Sequence, residues 1–494
     1  MKFQSTRDKN AAKLSAAQVI KQGLAADGGL FVPESIPELT KADIEALCGM
    51  DYPARAAFIL GKYLTDYTAE ELLADCEKAY APTSFVGGAA PLHDLGDGNR
   101  VMELWHGPTA AFKDMALQIM PRLLSRALVK TGETRTALIL VATSGDTGKA
   151  ALEGYRDIDR IKIMVFYPVN GVSTVQKLQM QTQLGDNVNV TAIHGNFDDA
   201  QTGVKRIFGN ADIAAELDKK GYFLSSANSI NWGRLAPQIV YYVSAYCDLL
   251  NEGKIAYGDK VNVTVPTGNF GNIFAAYLAK LMGLPLDQLI CASNKNNILT
   301  DFLRTGTYDR NRAFHLTMSP SMDILISSNL ERLLYFVAGP EKTADYMKQL
   351  AETGAYTVDA ATKARIDESF KGYFADEAET AATIRTTMEE KGYLIDTHTA
   401  VAVSAALQYR KESGDNRPMI IASTASPYKF AADVYSALFA RRAESDLAAL
   451  DLLSEKTNTE ITYPLRGIGT RTVRFEDVVD SAEMADAMFA YLNT

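Results

Sequence analysis

Lys113 is the residue whose sequence surroundings best suit covalent chemistry. It lies in the run Trp105-His106-Gly107-Pro108-Thr109-Ala110-Ala111-Phe112-Lys113-Asp114. Thr109, after a Gly-Pro turn, predicts a helix N-cap, and the residues from Ala110 onward favour a helix, so Lys113 falls in its first turn. Phe112, Met115, Ala116, Ile119 and Leu123 form one apolar stripe, while Ala116, Leu117, Met120 and Leu124 line the side to which Lys113 points. Pro121 predicts a kink further on. Burial and the positive end of a helix both disfavour an ammonium, which lowers the pKa and leaves a neutral amine able to attack a carbonyl. The competing reading is a lysine that extends its charged end to solvent.

Three strand-to-helix loops add chemistry of a different kind. Thr143-Ser144-Gly145-Asp146-Thr147-Gly148 follows an apolar run and leads into a helix from Lys149. Its small residues let backbone N–H groups approach an anion such as a carboxylate, with hydroxyls as further donors. Asp146 is acidic there and is expected to turn away or to cap the helix. Gly268-Asn269-Phe270-Gly271-Asn272, between the run V-N-V-T-V-P-T and the helical I-F-A-A-Y-L-A-K, suits a phosphate at a helix N-terminus. It is neither a Walker loop nor a dinucleotide fingerprint, which leaves a phosphate on a cofactor other than a nucleotide. Ser423-Thr424-Ala425-Ser426-Pro427 delivers hydroxyls to the end of a third strand. Each loop also has a purely structural reading, as an ordinary connection, a close-packing turn or a cap.

The elements that must position these groups are legible as short apolar runs alternating with helical segments, the pattern of a parallel sheet wrapped by helices. Strands are predicted over 137–142, 161–167, 188–193, 261–265, 289–292 and 419–422. In such sheets ligands bind at the carboxyl ends of the strands, where the three loops fall. Residues 15–80 read as mainly helical, 81–99 as a linker with a hairpin, 327–393 as a charged helical insertion or surface layer, and the end of the chain as two helices around an irregular stretch.

Sixty acidic against fifty basic residues give a net charge of −10, which argues against nucleic acid or an anionic membrane as partner. Cys48, Cys76, Cys247 and Cys291 are widely spaced, which suggests free thiols in a reducing, cytoplasmic setting rather than zinc or disulfides. No apolar stretch is long enough for a membrane span, and residues 1–10 lack the core of a secretory signal. His93, His106, His194, His315 and His398 show neither metal-ligand spacing nor a triad pattern.

Taken together these runs resemble the threonine synthase family, pyridoxal phosphate (PLP) enzymes of fold type II. The likeness extends over most of the chain: Ser5-Thr6-Arg7, D-G-G-L-F-V-P-E at 27–34, H-G-P-T-A-A-F-K-D at 106–114, T-S-G-D-T-G at 143–148, P-T-G-N-F-G-N at 266–272 and S-T-A at 423–425. Ser426 stands where many relatives are expected to carry histidine. The resemblance implies an α/β fold like tryptophan synthase β, with parallel-type sheets flanked by helices and an added mainly helical N-terminal domain. Its implied divisions are residues 1–85, a two-lobed catalytic region 86–440 with a smaller lobe at about 125–215, and a C-terminal segment 441–494.

By the same resemblance Lys113 holds PLP, Gly268, Asn269, Phe270, Gly271 and Asn272 bind its phosphate, and Thr424 faces its pyridine nitrogen. The implied reaction converts O-phospho-L-homoserine and water to L-threonine and phosphate, with freed Lys113 moving protons and His106 serving to position. Such a substrate needs two further anion pockets. Ser144, Gly145 and Thr147 are candidates for the carboxylate, and Asn231 and Arg234 for the phosphate; the latter pair also reads as a helix cap and a surface arginine. A phospholyase or serine/threonine dehydratase shares the cofactor signals, and a catalytically silent metabolite-binding protein is the alternative outside enzymes. A monomer or homodimer is expected.

Overall fold

The apolar runs pair into two separate, largely parallel sheets. The computed structural model describes residues 1–493. In the larger sheet the spatial order is Phe370–Phe374, Leu286–Ser293, Val261–Pro266, Met419–Ser423, Asn99–Glu103 and Leu92–Gly96. Its neighbours are parallel except the last two, which form a hairpin. Val261–Pro266 and Met419–Ser423 are buried at every position, as strands covered on both faces must be. The smaller sheet runs Val478–Asp480, Val188–His194, Ile161–Pro168, Thr136–Ala142 and Tyr222–Ser225, all parallel.

All six strands expected from the sequence are present, within a few residues of the predicted limits. Asn99–Glu103, Tyr222–Ser225, Phe370–Phe374 and Val478–Asp480 were not expected. Asn99–Glu103 reads as polar, yet Arg410 donates to Asn99 (3.2 Å) and Asp94 pairs with Arg100, so both polar residues can be buried. Phe370–Phe374 corrects the surface-layer reading of 327–393, because it forms an edge strand of the larger sheet. The irregular stretch near the C-terminus likewise supplies Val478–Asp480 to the smaller sheet.

In the N-terminal part, helices Ala16–Gln22, Lys41–Cys48 and Ala69–Ala79 each start at a capping box, on Ser15, Thr40 and Thr68. Helix Tyr52–Tyr63 is capped by Asp51. Phe3–Ser5, ahead of the first helix, pairs antiparallel with Phe31–Pro33, which lies between the first two. Among the described residues all four cysteines are free, no helix is long and apolar enough to cross a membrane, and no cluster of three metal-binding side chains occurs.

Candidate active site

The helix that carries the chemistry begins later than its sequence suggests. Thr109 does not cap it. Instead Ala110 takes a left-handed backbone (φ 59°), Ala111 bridges to Ala425, and the helix spans Asp114–Leu117 with Lys113 at its cap position. The competing interaction is local: the Asp114 carboxylate accepts from the Thr109 N–H (2.8 Å) and hydroxyl (2.6 Å), holding the preceding loop in a tight turn. At the other end the chain breaks at Gln118–Ile119, and a second helix, Met120–Lys130, begins with Pro121 in its first turn. The expected single kinked helix is therefore two helices. Lys113 still sits at a helix start and is 9% exposed.

Its amine faces a cavity of about 720 Å³, within the range of sites for cofactors and small molecules. Carboxyl ends of strands from both sheets converge there: Thr143, Ser144 and Thr147 after one, Ser226–Ile230 after another, Gly268–Asn272 and Thr424 from the larger sheet. Gly145 lies off the cavity wall. A Cβ on it would come within 2.6 Å of the Gln176 side chain, so its bareness admits Gln176 instead of a ligand.

Asp146 reverses expectation. The helix starts at Asp146, three residues early, and its carboxylate points inward. Lys113 Nζ donates to Oδ2 at 3.4 Å and to Ser321 Oγ at 3.3 Å, and Ser321 Oγ lies 3.2 Å from the same Oδ2. On the far side Oδ1 accepts from Gln176 Nε2 (2.8 Å) and pairs with Lys429 Nζ (3.2 Å), whose side chain is fully buried and also donates to the Thr109 carbonyl (2.8 Å). Burial alone would raise the Asp146 pKa, but Lys429 and Lys113 hold it far below the usual carboxylate range. Burial lowers the Lys113 pKa from its ordinary value, with Asp146 opposing and Lys429 and Arg234 assisting.

Gln176, Ser321, Lys429 and His398 were not found from the sequence. His398 lines the cavity, accepts the Ser321 N–H at Nε2 (3.2 Å) and donates from Nδ1 to buried Asp396 (2.8 Å). No spacing signals it, because Asp396 also caps the helix Thr397–Ser413, and Asp-Thr-His reads as a capping sequence. His106 stands apart, bonded to Glu103 (2.6 Å) and the Val86 carbonyl (2.8 Å) and stacked on Trp105. Ser426 caps the turn at Tyr428 (3.2 Å) and touches Thr462.

Helix Gly271–Leu281 opens onto the cavity with Phe270 left-handed (φ 63°). A Cβ on Gly268 would lie 2.5 Å from the Ser321 carbonyl, so only glycine fits there. Asn272 accepts from Tyr241 (2.7 Å) and Tyr242 (2.5 Å), while its buried Nδ2 has no partner among the described residues. That unpaired donor, at a helix start with free amides, suits a phosphate oxygen. With the Lys113 amine lining the same cavity, these residues fit PLP. Asn231, by contrast, uses both ends of its side chain within the protein, to the Ile20 carbonyl (2.9 Å) and the Gly233 N–H (2.8 Å). Arg234 is no surface residue: it is 5% exposed, donates to the Ala227 carbonyl (2.7 Å) and leaves Nε buried without a partner. Burial brings its guanidinium down to about 10.

A buried lysine and a glycine-rich helix start lining one cavity, at the carboxyl ends of two largely parallel sheets, define a PLP-dependent enzyme of fold type II. Residues 2–80 match the family described as threonine synthase N terminus, 93–424 the pyridoxal-phosphate dependent enzyme family, and 399–484 the threonine synthase C-terminal family. Threonine synthase of Pseudomonas aeruginosa is 41% identical over 435 residues, covering 87% of this chain and 89% of that protein. The human protein named threonine synthase-like 1 is 41% identical over 442 residues, 87% of this chain, and the chain spans 58% of that relative's length. The crystal structure of PLP-bound threonine synthase from Brucella melitensis matches with a TM-score of 0.89 at 36% identity, covering 100% of both chains. The chain belongs to the threonine synthase family.

Proposed function

We propose that this protein converts O-phospho-L-homoserine and water to L-threonine and phosphate. The observation that carries the reading is one cavity joining the Lys113 amine to a helix-start anion cradle and, separately, to a hydroxyl loop and a buried arginine with an unused N–H. Gly268, Asn269, Phe270, Gly271 and Asn272 would hold the cofactor phosphate, Lys113 would bind its aldehyde, and Thr424 would serve its ring nitrogen. PLP supplies an electron sink for charge developed on the substrate carbons. Ser144 and Thr147, just before and within the first turn of helix Asp146–Tyr155, bind the substrate carboxylate. Arg234 binds the substrate phosphate, and Asn231 fixes the start of the helix that carries it.

Released Lys113 takes and returns protons at Nζ, whose affinity for a proton burial lowers against the opposing Asp146 carboxylate. Ser321 and Asp146 limit where that amine can point. His398 orients Ser321 through its backbone N–H. The buried walls restrict bulk water, so the water that adds to the substrate enters a confined space. The free thiols fit a reducing cytoplasm, and a monomer or homodimer remains the proposed assembly.

The deciding experiment incubates PLP-loaded protein with O-phospho-L-homoserine and follows phosphate while identifying the organic product. Equal threonine and phosphate establish the proposal. Phosphate with 2-oxobutyrate makes the protein a phospholyase, and no phosphate refutes the substrate. Lys113→Ala should abolish turnover, and retained activity would remove Lys113 from its role.

A further inference from the structure

Ser5-Thr6-Arg7, the opening motif of the chain, lines no part of the cavity, yet Ser5 holds the turn 27–30 while Thr6 and Arg7 share one carboxylate, Glu331. Ser5 Oγ donates to both oxygens of Asp27 (2.9 and 2.7 Å), and a Cβ on Gly29 would come within 2.3 Å of that hydroxyl. Thr6 accepts the Leu30 N–H (2.8 Å) and donates to Glu331 Oε1 (2.5 Å). Arg7 clamps both oxygens of Glu331 at 2.8 and 2.7 Å. The turn 27–30 and the motif thus converge on a single carboxylate some three hundred residues away.

The next residue, Arg332, is fully buried and hydrogen-bonds to no carboxylate. Nε donates to the Phe31 carbonyl (2.9 Å), Nη2 to the Ile230 carbonyl (2.6 Å), and Nη1 to Asn329 Oδ1. Burial lowers its guanidinium to about 9, so placing it there has a cost that its position must offset. Asn329 completes the link: its N–H and its side-chain amide both donate to the Asn269 carbonyl (3.0 Å each), and the amide also reaches the Ser229 carbonyl (3.4 Å). Ser327 Oγ donates to the Gly268 carbonyl (2.6 Å). The carbonyls of the 268–269 turn are therefore held from behind, leaving the amides that follow for the cavity.

We propose that Ser5-Thr6-Arg7, through Glu331 and Arg332, is a positioning device that fixes the phosphate cradle 268–272 relative to the loop 226–231. It rests on the reading of 268–272 as the cofactor cradle. Thr6, Arg7 and Glu331 touch no ligand and act by holding the start of helix Leu330–Ala338, from which Asn329 and Arg332 reach both loops.

The test compares two ion pairs of matched burial. Arg7 and Glu331 have side chains 31% and 5% exposed, and Arg126 and Asp75, away from the cavity wall, 32% and 7%. Apoprotein of Arg7→Met, Thr6→Val and the control Arg126→Met is titrated with PLP by absorbance, and holoenzyme KM and kcat are measured alongside urea midpoints. The expected result is a fivefold or greater rise in PLP Kd and in KM for Arg7→Met and Thr6→Val, with kcat within twofold at saturation. Arg7→Lys should recover part of the affinity, and Arg126→Met should lose only stability. If Arg7→Met loses stability like the control while its PLP Kd stays at the wild-type value, the device is overturned. Asn272→Asp separates the two readings: weakened PLP binding there with none in Arg7→Met defeats the device alone, whereas unchanged binding in both defeats the cradle and the device together.

Discussion

Replacing Gly154 with alanine should disable the site from outside it. Gly154 lies near the end of helix Asp146–Tyr155, against the last residue of the Lys113 helix. A Cβ there would fall 1.8 Å from the Leu117 carbonyl oxygen and 2.7 Å from its carbon. Side-chain Cβ atoms essentially never come closer than 3.0 Å to a neighbour, so the two helices must part by about 1.2 Å. The obstacle is backbone, which no rotamer change relieves. Leu117 is hydrogen-bonded one turn back to the Lys113 carbonyl (2.9 Å), so a shift of Leu117 carries Lys113 with it. Misplacing a reacting group by about 1 Å costs on the order of 100-fold in rate, and overpacking costs roughly 1–3 kcal/mol. We therefore expect kcat for phosphate release to fall about 100-fold, with a lowered urea midpoint. Gly61→Ala is the matched control. It lies inside helix Tyr52–Tyr63, and its Cβ would meet Leu72 at an ordinary 3.6 Å, so the change should stabilise by about 0.5–1 kcal/mol through helix propensity. A Gly154→Ala enzyme with kcat within twofold of wild type would refute the claim that Lys113 depends on this contact.

Burial carries the Asp114 carboxyl up to about 6 despite two hydrogen bonds from Thr109. A raised folded pKa means that stability is lost as pH rises from about 4 to about 6, by up to about 3 kcal/mol, so Asp114→Asn should gain on wild type over that window; parallel urea curves would contradict it. Lys429→Met leaves the Asp146 carboxylate facing a lost partner and should cost about 3–5 kcal/mol at neutral pH. Because the Asp146 pKa is depressed when folded, its ion-pair stabilisation is present above the unfolded value of 3.8 and fades in acid, so the gap between Lys429→Met and wild type should narrow there. Asn272→Asp keeps an acceptor for Tyr241 and Tyr242 but replaces the unpaired donor with a negative charge, and PLP Kd from absorbance titration should rise at least tenfold.

What the sequence discloses here divides along a physical line. Strands covered on both faces need apolar residues at every position, and loops that bring backbone amides to an anion need glycine and small hydroxyl residues; both requirements are local and visible in order along the chain. The strand Asn99–Glu103 escapes because the polar Asn99 is satisfied by a partner remote in sequence, Arg410. The charged interior escapes for the same reason. Asp146 and Lys429 form a buried row with Lys113, and no local pattern distinguishes those two from a helix cap and a solvated lysine, since each charge is tolerable only next to the others. Thr109 shows the converse error: it has the residue type of an N-cap, but the Asp114 carboxylate five residues on competes for its N–H and hydroxyl and moves the helix start to Lys113. That displacement leaves the lysine at the helix start, where the row of charges acts on its amine. The chemistry of Lys113 thus follows from a local pattern, while its aim is set by residues whose connection exists only in the folded chain.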